Sequence, residues 1–241
     1  MRDFLRITIP VFAIGALAFW WAGRHVSPAI RRTRWIKFAT YVVIVHLVLA
    51  AALAGRAAIA ALFALVAAGG LVEILAAVRR VRANLALVVT AGYLVIAGGA
   101  IGFTATVPPL VVAGTYLVVA AFDGFSQAGG QIAGAHKLAP TVSPGKTVEG
   151  LLIGAAGAIV CSLLLRRAVS LGTASALALA AIASVAGLAG DLAASWVKRR
   201  AGLKDFGTIL PGHGGVLDRF DSVLAVSAVL SVLLAIRPFH G

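Results

Sequence analysis

Very little of this chain can face water. Only 12% of its 241 residues are charged, and just 8 are acidic against 21 Lys and Arg. A soluble domain carries about 25% charged residues, so a free-standing globular protein is excluded. Cysteine occurs once, at Cys161 inside an apolar run, so no intrachain disulfide can form. That thiol reads as a small buried hydrophobe. What the chain has instead is apolar length: 61% of residues are hydrophobic, mean hydropathy is +1.02, and several runs reach the roughly 20 residues that cross a bilayer as a helix. The 27 glycines and abundant alanine suit close helix approach in lipid, and they leave room for a homodimer. A net charge of +13 would suggest nucleic acid in a soluble protein. Here Lys and Arg collect in loops on one membrane face, where they meet anionic headgroups, and no nucleic-acid partner is expected.

The expected fold class is all-α, a polytopic integral membrane protein forming a single transmembrane domain over residues 1–241. N-terminal helices fill 1–122 and the chemistry sits in 123–241. The apolar pattern predicts eight helices, near 7–23, 38–54, 57–77, 84–102, 107–122, 149–166, 173–194 and 218–236. The first of these lacks a small-residue cleavage site before Arg24 and reads as a retained helix, not a signal peptide. Two polar inserts, 123–148 and 195–217, are rich in Gly, Pro, Ser and charge, which is loop chemistry. An even number of helices separates them, so they share a face. The excess of Lys and Arg on that face places it in the cytoplasm of a cytoplasmic-membrane protein, with both termini outside.

Ionisable groups are concentrated between Asp191 and Asp221. In hydrocarbon such groups are costly unless paired or metal-bound, which makes a cluster a functional candidate. Asp218 and Asp221 are three apart at the start of the last helix, on one helical face. They read as a site for a hard cation, Mg²⁺, completed by phosphate oxygens and water. A favourable helix-dipole arrangement is the plain alternative. Asp191, with Ser195 and Lys198 on the same helical face, reads as a third metal ligand or as the partner of Lys198. Lys198, Arg199, Arg200 and Lys204 either set topology or clamp phosphate. Before Asp218, Gly214 and Gly215 allow close backbone approach to a ligand. His213 has three readings: proton donor, phosphate contact or loop hydrogen-bond hub.

In the other insert, SPGKT at 143–147 resembles a phosphate loop. The motif needs Gly six residues before Lys146, where the chain has Pro140, and no sheet strand precedes it, so that assignment fails. Ser143, Lys146 and Thr147 still precede a helix in a way that suits phosphate binding. Asp123 closes the preceding helix and is expected to bind a second cation or a nucleotide hydroxyl, or to pair with Lys137 or Lys146.

The run from Ser195 to Asp221, SWVKR, four residues, KDFG, two residues, LPGHGGVLDRFD, resembles the signature of the CDP-diacylglycerol synthase (phosphatidate cytidylyltransferase) family. The run HKLAP-x-VSPGKT-x-EG, from His136 to Gly150, is similar to a second motif of that family, except that Val148 stands where an aromatic residue is common. The resemblance covers about the C-terminal half. It implies transfer of a cytidylyl group from CTP to phosphatidate, giving CDP-diacylglycerol and pyrophosphate, with Mg²⁺ and a second cation. It implies catalytic roles for Asp191, Lys198, Arg199, Asp218, Arg219 and Asp221, with the three aspartates holding metal. Substrate contacts would come from Asp123, Ser143, Lys146, Thr147, Ser195, Lys204, Asp205, His213, Gly214 and Gly215.

Two other functions fit the composition. One is a cytidylyltransferase acting on an ether or isoprenoid lipid phosphate. The other is a transporter or lipid-binding scaffold, against which stands the scarcity of acids elsewhere: Glu73 is the only one inside the other predicted spans, Glu149 standing at the first position of its own.

Overall fold

The computed structural model describes residues 27–210 and 214–236, together with Trp20. The predicted helix at 7–23 therefore lies, apart from Trp20, outside the described residues. The other seven predicted helices are present, each long and apolar enough to cross a membrane. They are α1 (Pro28–Ala54), α2 (Arg56–Val78), α3 (Ala83–Thr106), α4 (Pro109–Ala133), α5 (Val148–Leu165), α6 (Thr173–Arg200) and α7 (Leu217–Ile236). The all-α expectation needs one amendment. Lys137–Ala139 (β1) and Ser143–Thr147 (β2) form a small antiparallel hairpin between α4 and α5.

Local chemistry sets the boundaries. Gly55, at φ 111°, turns the chain in one residue from α1 into α2, a conformation glycine reaches without Cβ strain. Val107 is extended ahead of Pro108, and Pro109 opens α4 where a missing N–H costs nothing. Thr147 caps α5, its Oγ1 accepting from Gly150 N at 3.1 Å. Two helices run past their predicted ends: α4 continues to Ala133 and α6 to Arg200. Gly and polar residues there suggested loops, but tertiary packing against neighbouring helices outweighs their weak propensity.

In the bundle, α4 packs along α5 and also meets α1, α6 and α7; α3 lies against α2 and α7. Large side chains such as Leu65, Leu87 and Val95 are exposed and form the lipid-facing surface. The α4–α5 seam is the closest. A Cβ on Gly150 would stand 2.6 Å from the Ser126 carbonyl oxygen, and one on Gly154 would stand 2.8 Å from the Phe122 carbonyl oxygen. These obstacles are backbone and cannot rotate away. The successive spans bring the end of α4, the hairpin, the end of α6 and the start of α7 to one end of the bundle.

Gly150→Ala is therefore expected to lower stability by about 1–3 kcal/mol through overpacking. Gly92→Ala or Gly98→Ala, with no atom within 4 Å of the new Cβ, should be neutral or stabilising. Thermal unfolding in detergent compares the three; a Gly150→Ala protein as stable as the others would show that the seam is not tight.

Candidate functional site

The two polar inserts meet, as their spacing requires, around a cavity of about 390 Å³. This falls in the range of small-molecule sites. α4 contributes Asp123, Ser126, Gln127 and Gln131; the hairpin and α5 contribute Lys146, Thr147 and Leu151. α6 contributes Asp191 and Lys198, and α7 contributes Asp218, Arg219, Asp221 and Ser222.

Asp218 is the most tightly held of the acids. Its Oδ1 accepts from Lys198 Nζ at 2.7 Å, and its Oδ2 accepts from Phe206 N and Gly215 N, each at 2.8 Å. The side chains of this pair are 10% and 2% exposed, and Lys198 also lies over the Phe206 ring at 5.2 Å. One carboxylate thus ties the end of α6, the connecting loop and the start of α7 together. Asp191, Asp218 and Asp221 do not converge as a ready-made three-carboxylate cage among the described residues, and both oxygens of Asp218 accept hydrogen bonds inside the protein. Lys198 pairs with Asp218 and not with Asp191.

Asp191 instead pairs with Lys146 Nζ at 2.5 Å and accepts from Ser195 Oγ at 3.2 Å. Asp221 accepts from Ser222 N at 2.7 Å. Asp123 lies within α4, nearly three turns before its end and not at it, and its buried Oδ1 has no hydrogen-bond partner. Asp123, Asp191 and Asp221 are close enough for their charges to act on one another, with Lys146, Lys198 and Arg219 the cations facing them. Arg219 is exposed in the cavity, with no hydrogen bond or ion pair among the described residues.

Other expected contacts fall elsewhere. Arg199 points out of the cavity, its Nε donating to Val142 O and its Nη1 to Leu203 O, and so braces the hairpin tip against α6. Ser143 starts β2 opposite Ala139 and does not line the cavity. Lys204 and Asp205 are exposed outside it, and Ser195 acts through Asp191. Gly214, at φ 85°, and Gly215 approach the protein's own carboxylates: a Cβ would stand 2.7 Å from Asp218 Oδ2 and 2.3 Å from Glu73 Oε1, respectively. Thr147 borders the cavity but spends its hydroxyl on the α5 cap. His213 lies outside the described residues.

Sequence reasoning missed Gln127 and Gln131, whose signal is legible once α4 is extended. Positions 123, 127 and 131 recur every four residues and therefore share one helical face. It also missed Glu149, whose carboxylate accepts from Ala135 N at 3.1 Å and His136 N at 3.2 Å, and meets His136 Nδ1 at 2.5 Å. That contact closes the base of the hairpin and sets the direction of Lys146.

The donors in the cavity are carboxylate oxygens, the ligands a hard divalent cation takes, and the orphaned Asp123 Oδ1 is one of them. No group of three His, Cys, Asp or Glu side chains converges as a ready-made cage among the described residues. The set fits Mg²⁺, which commonly takes one or two carboxylates and leaves its remaining positions to phosphate and water.

A family profile described as "Cytidylyltransferase family" matches residues 109–237, which hold every cavity residue named above. Proteins named phosphatidate cytidylyltransferase are similar over the same half. The one from Staphylococcus haemolyticus is 42% identical over 125 residues, 49% of this chain and 46% of that protein. The Staphylococcus saprophyticus protein is 44% identical over 125 residues, again 49% and 46% of the two chains. The Brucella abortus protein is 44% identical over 122 residues, 50% of this chain and 45% of its own length. These matches span about half the length of the curated relatives.

Lys198→Met is expected to leave the Asp218 carboxylate buried without its cation and to cost about 3–5 kcal/mol. Arg199→Ala, which removes only hydrogen bonds at an exposed position, should cost about 0.5–1.5 kcal/mol. Thermal unfolding of the two variants checks the ranking, and equal losses would contradict the buried pair.

Proposed function

The chain belongs to the cytidylyltransferase family, and from that premise we propose that it transfers a cytidylyl group from CTP to phosphatidate, releasing pyrophosphate. The observation that carries this reading is the cavity in which Asp123, Asp191 and Asp221 face Lys146, Lys198 and Arg219 at the end of a membrane bundle. A soluble trianionic or tetraanionic nucleotide and a lipid phosphate can both reach such a place, the nucleotide from water and the lipid from the leaflet. We assign the open end to the cytoplasm, because Arg31, Arg32, Lys37, Arg79, Arg80 and Arg82 also lie at that end. The reading extends to a homodimer through the lipid-facing helices, whose many small residues allow close approach in a bilayer.

A phosphate monoester has a second pKa near 6, so the lipid phosphate is already a nucleophile at neutral pH and needs no strong base. Its oxygen attacks the α-phosphorus of CTP. The new P–O bond forms as the bond to the β-phosphate oxygen breaks, and pyrophosphate leaves with that electron pair. The barrier is repulsion between two anions, so positioning and positive charge do most of the catalysis. Mg²⁺, held by carboxylates drawn from Asp123, Asp191 and Asp221, would neutralise charge on the triphosphate. Arg219 offers a free fork to phosphate oxygens. Lys146 exchanges Asp191 for phosphate or bridges both. Gln127 and Gln131 lie about 6 and 12 Å farther along α4 than Asp123, given 1.5 Å per residue. Each presents a donor and an acceptor to the cytosine and ribose. Lys198 and Asp218 hold the frame in which these groups stand.

Asp221→Asn and Asp123→Asn are expected to reduce CTP-dependent turnover of phosphatidate by about a hundredfold or more while the protein still inserts. EDTA should abolish wild-type turnover and Mg²⁺ restore it. Pyrophosphate release from CTP, measured with a panel of diacyl, ether and isoprenoid phosphates, checks both points. Normal turnover in both variants would remove the metal assignment, and preference for a non-diacyl acceptor would change the substrate.

A further inference from the structure

We propose that Glu73, on α2, is a positioning residue for the first turn of α7, and so for Asp218, Arg219 and Asp221. The residue is 4% exposed, is the one acid of α2 and lies outside the residues matched by the family profile. Oε1 accepts from Val216 N at 2.9 Å and Oε2 from Leu217 N at 2.8 Å. Two successive amides at a helix start are thus held by one side chain of another helix. No cation pairs with Glu73 among the described residues; the positive end of the α7 dipole takes that place. The loop between α6 and α7 closes on the same group from both ends. A Cβ on Gly207 would stand 2.7 Å, and one on Gly215 2.3 Å, from Glu73 Oε1.

This arrangement fixes the rotation of α7 about its axis. A carboxylate presents two acceptors side by side, matching two adjacent N–H donors. An amide presents one acceptor and one donor, and the donor would face an N–H. Helical residues are about 100° apart around the axis, so a turn of a few tens of degrees would aim Asp221 and Arg219 away from α4 and α6. Glu73 does not line the cavity, and both its oxygens are occupied, so it acts through α7 and not on the substrate.

Hydrogen exchange read by mass spectrometry on the full chain in lipid nanodiscs tests the contact itself. In Glu73→Gln, peptides covering 206–220 should exchange about ten to a hundred times faster, the equivalent of one hydrogen bond to a charged group. Peptides from α4 and α5 should stay as in the wild type. Turnover of CTP and phosphatidate should fall by a similar factor, with Glu73→Asp, which keeps two acceptors, falling between the two. Should Glu73→Gln not accumulate as a folded protein, Glu73→Asp and Gly215→Ala, which drives a methyl into the carboxylate, are measured in the same way. Unchanged exchange at 206–220, a uniform loss of protection across the chain, or full turnover would each overturn the proposal. The kinetic arm rests on the proposed activity. A wild-type protein inert toward CTP would overturn that activity and leave the exchange arm to decide the role of Glu73.

Discussion

A carboxylate withdrawn from water at the end of a membrane bundle needs donors for both its oxygens, and Asp218 finds them by gathering three separate pieces of chain. Lys198 reaches it from α6, Phe206 N from the connecting loop, and Gly215 N from the turn before α7. Each of those donors would itself be unsatisfied without it, so the contact is closed on both sides and costly to break. The loop it organises carries most of the polar residues in this part of the chain. Once that loop is held, the side chains that face the cavity have fixed starting points: Asp191 one turn before Ser195, Arg219 one residue after Asp218, and Asp221 three after it.

The hairpin on the opposite wall is held by the same kind of contact. Glu149 gathers Ala135 N, His136 N and His136 Nδ1, and Thr147 caps α5, so β2 delivers Lys146 toward Asp191. Small residues then let α4 and α5 approach until Ser126 and Phe122 carbonyls touch the Gly150 and Gly154 backbones. Backbone-level contact in the seam and carboxylate-level contact at its rim together leave the cavity little freedom to change shape.

Much of this was legible in the amino-acid sequence. Seven of the predicted spans appear where apolar runs of about 20 residues demand them. The shared face of the two inserts follows from counting helices between them. What the residues did not reveal was the partner of each charge. Asp218 and Asp221 share a helical face, which suggested a joint metal site, but the first lies against loop amides that only folding brings near it. Arg199 sits one residue from Lys198, and helical geometry sends it about 100° away, toward the hairpin tip. Gln127 and Gln131 were hidden by Gly-rich surroundings that look like loop. Glu73 left a signal that was readable: a lone acid in hydrocarbon needs a partner, and its place six residues before the basic turn at Arg79 puts it at the same end as the inserts.

Carboxylate contacts at the helix starts also bear on how an anion is bound. Helix N-termini are the usual answer, since their free amides and dipole favour phosphate. At α7 the amides of Gly215, Val216 and Leu217 are all taken by Asp218 and Glu73. At α5, Val148 N donates to His136 O and Gly150 N to Thr147 Oγ1. The two helix starts that border the cavity are thus largely closed by the protein's own oxygens, and at α7 those oxygens carry charge. Phosphate groups entering here would meet no bare helix end. They would meet Lys146 and Arg219 on one side and a cluster of carboxylates on the other, and those carboxylates repel a triphosphate unless a cation stands between them. Under the proposed activity, a divalent ion held by Asp123, Asp191 and Asp221 would supply that cation, while the separate carboxylates of Asp218 and Glu73 keep the loop in order.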